Sequence, residues 1–277
     1  MTEYAALEAV RDGRLRAVVS DVDGTLLDTR GELPDRNIAA MQAAHAAGIR
    51  IALATVRKRD TAERIVDLLD VPCGLVCEAG ATIFDADGTL LRSVTLPLEV
   101  ALAVADLADE LAFPMATTID GVNYQGPGYT PALLLGGPVH AVPSNRSALT
   151  QAPTRLIIQD PDAAALVVRT FTDAPLHVVR HYRPDGSFID AVITHRDATK
   201  VTGIGVLLDH WGVGWDAVMA LGDAEADVSM LRRARIGVAV GNATLEAKEA
   251  ADFVSAPAAE GGVALAIERF IRASRRE

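Results

Sequence analysis

Short apolar runs alternate along the chain with longer amphipathic stretches, the pattern of strands buried in a sheet with helices laid against it. Leu15–Ser20 is such a run, with adjacent valines, ending at Asp21 and broken by Gly24. It predicts a buried parallel strand running into a loop. Pro34 and Asp35 open a helical stretch with Ile38 and Met41 on one face, and Gly48 stops it. Ile49–Thr55 predicts the next strand, Thr61–Asp70 the next helix and Gly74–Cys77 a third short strand. The order β, α, β, α, β implies an α/β fold with a doubly wound parallel sheet.

The middle of the chain changes character. Ala81–Phe84 and Thr89–Ser93 flank Asp85-Ala86-Asp87-Gly88, a hairpin signal. A long amphipathic helix is predicted over Leu98–Leu111, and the Gly-, Pro- and Tyr-rich stretch Gly121–Gly137 reads as irregular. Arg155–Gln159, Asp162–Phe171, His177–Tyr182 and Phe188–Thr194 then give strand, helix, strand and strand. From Lys200 the α/β alternation resumes: helix Val201–His210, strand Ala217–Leu221, helix Val228–Ala234 and strand Ile236–Val240. Phe270, Ile271 and the trailing arginines read as a last helix whose basic end suits the helix dipole. The division expected is a discontinuous α/β core, residues 1–95 and 195–277, interrupted by an α+β domain at 96–194.

At 277 residues the chain holds one large domain or two ordinary ones, and 50% hydrophobic with 23% charged residues is the balance of a globular protein. The 26 basic residues against 37 acidic ones give a net charge of −11. Phosphate backbones and anionic lipid surfaces demand cationic neutralisation, so neither nucleic acid nor membrane is an expected partner. Cys73 and Cys77 have no second pair with which to complete a structural zinc site, and read as small buried residues in a reducing compartment. The stretch Met1–Val10 lacks the basic-then-apolar order of a signal peptide, and no apolar run approaches the roughly 20 residues of a membrane helix. A cytoplasmic location follows as an expectation.

Four places carry candidate chemistry. Asp21-Val22-Asp23-Gly24-Thr25 sits at the carboxyl end of a buried strand, where open α/β sheets bind ligands. Residues two apart in extended chain point the same way, so both carboxylates reach one small volume. Crowded carboxylates favour a hard cation such as Mg²⁺, and one carboxylate can attack phosphorus while the other donates a proton. A simple Asp-Gly turn, or the metal-diphosphate site of a sugar-nucleotide transferase, fits the same residues. Thr55 ends a neighbouring strand with a hydroxyl, and Arg57 adds charge just beyond. Lys200 stands where a helix begins, a place that also suits a solvated lysine. Gly222-Asp223-Ala224-Glu225-Ala226-Asp227 again puts carboxylates beyond an apolar strand, with Asp227 also suited to capping the next helix. His177 and His181 have a helical zinc spacing, but in an extended segment they are too far apart along the strand for one metal.

That ordered set resembles the haloacid dehalogenase (HAD) superfamily, in particular its Cof-type phosphatases. The resemblance rests on Asp21-Val22-Asp23-Gly24-Thr25-Leu26-Leu27, on Gly222-Asp223 through Asp227-Val228-Ser229-Met230-Leu231, and on Gly237-Val238-Ala239-Val240-Gly241-Asn242-Ala243. It implies a Rossmann-like HAD core with an inserted α+β cap covering the site. It also implies that Asp21 is the nucleophile of an aspartyl-phosphate and a Mg²⁺ ligand. Asp23 becomes the general acid and base, its backbone carbonyl also on the metal. Thr55 and Arg57 bind the phosphoryl group, Lys200 offsets charge on Asp21 and phosphate, and Asn242 joins the phosphate-binding set. Asp223 ligates Mg²⁺ and Asp227 supports it. The implied substrate is a small phosphorylated metabolite, a sugar or polyol phosphate, and the implied state a monomer or homodimer. Arg180, His181, Tyr182, Tyr124 and Tyr129 are candidates to face that substrate from the cap.

Three positions depart from the family's pattern. Val56 stands where Thr-Gly-Arg has its glycine, Ala226 replaces an asparagine, and Glu78-Ala79-Gly80-Ala81 replaces the frequent Asn-Gly-Ala. The alternatives to a phosphatase are a phosphomutase of the same fold and a catalytically weak HAD-fold protein that binds a phosphorylated ligand.

Overall fold

The computed structural model describes residues 15–130, 139–183 and 185–274, with the side chains of residues 270–274 outside that description. The expectations for Met1–Val10, the side chains of Phe270 and Ile271 with the arginines after them, and the end of the stretch Gly121–Gly137 lie outside the described residues. The first part of the chain forms β1 (Ala17–Ser20), α1 (Asp35–Ala46), β2 (Arg50–Ala54), α2 (Arg59–Leu69), β3 (Cys73–Cys77), β4 (Thr82–Phe84) and β5 (Leu90–Ser93). The middle forms α3 (Leu98–Leu111), β6 (Met115–Ile119), β7 (Val122–Gln125), β8 (Val139–Ala141), α4 (Asn145–Ala148), β9 (Arg155–Ile158), α5 (Pro161–Thr170), β10 (Leu176–Tyr182) and β11 (Phe188–His195). The last part forms α6 (Lys200–Trp211), β12 (Val218–Gly222), α7 (Val228–Arg233), β13 (Ile236–Ala239), α8 (Leu245–Ala250), β14 (Phe253–Val254) and α9 (Gly262–Ser274).

Two sheets result. The eight-stranded one runs β14-β13-β12-β1-β2-β3-β4-β5, parallel from β14 to β3 and antiparallel through the β4–β5 hairpin. Every residue of β1 is buried, which is why that strand reads as an unbroken apolar run. Full burial of Val18 and Val19 stabilises the sheet by about 1.5–3 kcal/mol each. The six-stranded sheet runs β10-β11-β9-β6-β7-β8 and is antiparallel except between β7 and β8. It has its own apolar cluster, in which Val104 and Ala108 of α3 and Ala164 and Val167 of α5 meet Leu156 and Ile193.

Ile38 and Met41 of α1 both pack against the core, Met41 buried and Ile38 half-buried, beside the buried Asn37, Ala40 and Ala44. Asn37 is tolerated inside because its amide donates to the Leu26 carbonyl and accepts from the Ala264 amide. The stretch from Gly121 is not irregular throughout: Val122–Gln125 is β7, paired with β6, a strand the apolar pattern did not signal. Cys73 and Cys77 are free and buried, as expected.

Candidate active site

Strand order moves outward in both directions from β1, through β2 and β3 on one side and β12 and β13 on the other. Such a switch point opens a crevice at the carboxyl ends of the central strands. Asp21 follows β1, Thr55 follows β2 and Asp223 follows β12, so three of the four segments singled out in the sequence end at this crevice.

The fourth arrives from the chain's later part. Lys200 is the first residue of α6, whose start is fixed by reciprocal bonds between Thr199 and Thr202. Gly80, held at φ +107°, lets the turn after β3 press against that start, since a Cβ there would lie 2.2 Å from the Thr199 carbonyl oxygen. Lys200 Nζ donates to Asp21 Oδ1 at 2.6 Å and to Asp227 Oδ1 at 2.7 Å, with all three residues buried. Burial alone would lower the Lys200 ammonium, but Asp21 and Asp227 outweigh it and hold the group charged. Asp227 Oδ2 meanwhile accepts the backbone amides of Asp223 and Ala224, so its carboxylate folds the loop after β12 instead of capping α7.

Asp223 lies over the loop that follows β1. Thr25 Oγ1 donates to its Oδ1 at 3.0 Å, and a Cβ on Gly24 would sit 2.4 Å from its Oδ2. Only a glycine, here at φ +84°, permits that approach. Oxygens of Asp21, Asp223 and Asp227 fall within 4.8 Å of one another. Burial pushes the Asp223 carboxyl up to about 6, with Asp227 adding to it and Thr25 opposing. Burial also raises Asp21, against the pull of Lys200 and with the push of Asp227 and Asp223.

Three carboxylates thus face one ammonium, and Asp21 Oδ2 is buried with no hydrogen-bond partner among the described residues. An orphaned anionic oxygen in an all-oxygen, net-negative cluster fits a hard divalent cation such as Mg²⁺. Asp21 and Asp223 carry the oxygens least engaged by the protein, and Asp227 Oδ1, which accepts from Lys200, lies within reach of the same ion.

Asp23 stands apart from that cluster. Its carboxylate is gripped by Arg57 through Nη2 at 2.6 Å and Nε at 2.8 Å, so any metal contact from Asp23 is left to its carbonyl. The Arg57 amide in turn donates to Thr55 Oγ1 at 3.1 Å. The amide nitrogen of Asn242 donates to the Gly24 carbonyl and its oxygen accepts the Ala258 amide, so it pins the loop after β1 to the turn beyond β14.

Residues 18–267 match the family described as haloacid dehalogenase-like hydrolases. The chain is a haloacid dehalogenase-like hydrolase. It is 28% identical over 275 residues to the protein named putative phosphatase YxeH of Bacillus subtilis, covering 93% of this chain and 99% of that one. It is 25% identical over 275 residues to an Arabidopsis thaliana protein named endoribonuclease YBEY, chloroplastic, of which it spans only 46%. Among solved structures, one described as the HAD subclass IIB sugar phosphatase BT4131 superposes with a TM-score of 0.79 at 26% identity, covering 92% of this chain and 98% of that one.

Two departures of this hydrolase from its family's pattern acquire a physical account. Val56 lies outside the set of residues held at positive φ, so valine fits without strain, and its carbonyl accepts Arg155 Nη1 at 2.6 Å. Glu78 and Ala79 take left-handed backbone at φ 52° and 58°, a conformation suited to Asn and Gly. Their amides donate to the Arg57 and Thr55 carbonyls, so the strained turn clamps the loop bearing those side chains. Nothing in the structure explains Ala226.

Sequence reasoning missed the polar groups joining the second sheet to that loop. Lys58, buried, donates to the Gly121 carbonyl at 3.0 Å, Thr154 donates to Glu78, and Arg155 reaches Val56. A Lys or Arg is seldom fully buried, so nothing in the local pattern marked them. No helix among the described residues is long and apolar enough to cross a membrane.

Proposed function

We propose that this hydrolase is a Mg²⁺-dependent phosphatase that removes the phosphoryl group of a small sugar or polyol phosphate through an aspartyl-phosphate. The observation that carries this reading is Lys200 bonded to Asp21 while the other oxygen of Asp21 stays buried without a partner. A fully buried, charge-compensated carboxylate at a strand end is a nucleophile held in place. The relatives named phosphatases, and the structure described as a sugar phosphatase, support both the reaction class and the substrate class.

In this reading a carboxylate oxygen of Asp21 attacks phosphorus as the bond to the leaving oxygen breaks. Asp23, released as Arg57 turns to the phosphoryl oxygens and protonated from solvent, gives that proton to the leaving oxygen. Water then attacks phosphorus, Asp23 takes the water proton, and inorganic phosphate leaves with Asp21 regenerated. Thr55 and Lys200 hold the phosphoryl group and its charge through both steps. Mg²⁺, held by Asp21 and Asp223, supplies charge neutralisation at the phosphoryl oxygens.

Residues 1–95 and 195–277 act as the catalytic core and residues 96–194 as a cap over its crevice. The contacts of Lys58, Glu78 and Val56 with Gly121, Thr154 and Arg155 support a closed arrangement. The test is release of nitrophenol from p-nitrophenyl phosphate and of phosphate from a sugar-phosphate panel, with Mg²⁺, with EDTA, and with Asp21→Asn. Metal-dependent turnover lost in the variant supports the reading; turnover that survives in Asp21→Asn overturns it.

A further inference from the structure

One face of the second sheet carries buried hydrogen-bond donors with no partner among the described residues. Antiparallel register sets Arg155 opposite Thr118 and Ile157 opposite Ala116, with Gln125 opposite Ala116 on its other side. These residues therefore share one face, since partners across a ladder and positions two apart along a strand point the same way. Tyr129 packs over that face against Ala116, Ile157 and Val192. Arg155 Nη2, Tyr129 Oη and Gln125 Nε2 are each buried with no hydrogen-bond partner among the described residues. Arg155 is 2% exposed and Tyr129 8%.

The face looks toward the catalytic loop, because Arg155 Nη1 already reaches the Val56 carbonyl between Thr55 and Arg57. The rest of the Arg155 guanidinium is committed, with Nε donating to Thr118 Oγ1 at 2.9 Å. Glu78 Oε2 lies 4.0 Å from that Nε, outside hydrogen-bond range, and is occupied by the Thr154 hydroxyl. The Nη2 end of the fork is what remains.

A buried donor without an acceptor costs about 1–3 kcal/mol, and three on one face are more than a folded chain ordinarily carries without use. The unpartnered atoms of the set are all donors, and the buried carboxylates beside them are already engaged, Asp190 by His181 Nδ1 and Glu78 by the Thr154 hydroxyl. A guanidinium and an amide nitrogen donate only, and the phenol donates well. A neutral hydroxyl in the ligand both gives and takes a proton, whereas a carboxylate or phosphate only accepts. We infer that Arg155, Tyr129 and Gln125 form a subsite for a second anionic group on the substrate, remote from the phosphoryl group that is removed. The substrate is then a phosphorylated sugar acid or a bisphosphate, and not a phosphate ester with a neutral tail.

This rests on the phosphatase reading, and the test separates the two. Wild-type kcat/KM is compared within matched pairs that differ only at the far end: 3-phosphoglycerate against glycerol 3-phosphate, and gluconate 6-phosphate against glucitol 6-phosphate. Glucitol 1,6-bisphosphate adds the second source of negative charge. Absence of turnover on these and on p-nitrophenyl phosphate sinks the phosphatase reading itself. Given turnover, the subsite predicts that a carboxylate or second phosphate raises kcat/KM about tenfold or more, and whichever does so names the group. Tyr129→Phe removes the unpartnered phenol and Gln125→Leu the unpartnered Nε2 with the rest of its amide, and each should cut the ratio of anionic to neutral substrate about fivefold or more. A structural role would lower both members of a pair together and leave the ratio alone. Equal rates within every pair, or a ratio unmoved by both variants, overturn the inference.

Discussion

Arg57 holds Asp23 through a two-pronged ion pair, at 2.6 and 2.8 Å, at the mouth of a crevice whose other carboxylates gather around Lys200. The two aspartates of one Asp-x-Asp segment therefore sit in different electrostatic company. Asp21 is buried against an ammonium and faces Asp223, while Asp23 is part-exposed and bound to a guanidinium that a phosphoryl group can take over. The proposed mechanism uses that separation, with one carboxylate as nucleophile and its neighbour carrying protons.

Replacing Asp23 by Asn should therefore act by leaving group and by step. Nitrophenolate leaves without a proton, so the first step survives while the water attack loses its base. Asp23→Asn should show a burst of about one equivalent of nitrophenol, then turnover slowed about 100- to 10,000-fold. Stopped-flow absorbance reads this directly; a linear progress curve at the wild-type rate contradicts it.

Lys200→Met removes an ammonium bonded to two buried carboxylates. Breaking a buried pair from one side costs about 3–5 kcal/mol, so the urea midpoint should fall markedly and turnover should vanish. A variant as stable as wild type would mean that Asp21 and Asp227 find other compensation.

How much of this was legible in the sequence depends on range. Asp21, Thr55 and Asp223 were readable because each closes an apolar run, and a strand end is a local feature. Lys200 was readable only by its place in an ordered set. Arg155 was not readable, because its role depends on β9 pairing with β6 and on the insert meeting the loop after β2. Met115–Ile119 was missed because its central residues are Ala and Thr, small side chains without the valine-rich signature of a buried strand. β7 was hidden because its four residues lie in a Gly-, Pro- and Tyr-rich stretch that reads as irregular. Asn242 was placed by motif, and its hold on the Gly24 carbonyl, a contact across the sheet's end, was not readable from it.

Metal removal should separate Asp223 from the rest. Saturating Mg²⁺ should raise the wild-type unfolding midpoint, by about 2.7 kcal/mol of added stability at a hundredfold excess over Kd. That shift should shrink sharply in Asp223→Asn and in Gly24→Ala, whose methyl displaces the Asp223 carboxylate. Calorimetry with and without EDTA checks it; an equal shift in all three proteins contradicts the assignment.

The left-handed turn after β3 offers a stability test free of catalysis. Ala79 at φ 58° carries a Cβ penalty that glycine lacks, so Ala79→Gly should stabilise the protein by about 0.5–1 kcal/mol. A lowered midpoint in denaturant would show that the backbone there relaxes without cost.

Asp85 carries a pH dependence whose sign can be worked out. Burial raises its carboxyl, but the Trp211 indole N–H, the Ala86 amide and His210 outweigh that and hold it below the usual range. A depressed folded-state value contributes stability that is complete above the unfolded value and lost as pH falls through the folded one. The stability gap between wild type and Asp85→Asn should be full near neutrality and close in the acid range below the ordinary Asp value. A gap that stays constant through that range would contradict the assignment.

The central claim, that Asp21 is the atom donor to phosphorus, is tested most directly by trapping the intermediate. Asp23→Asn, quenched in acid during turnover of p-nitrophenyl phosphate, should yield a peptide carrying one added phosphoryl group at Asp21, absent in the Asp21→Asn, Asp23→Asn double variant. Phosphoryl label on another residue, or burst release of nitrophenol with no label on the protein, would contradict it.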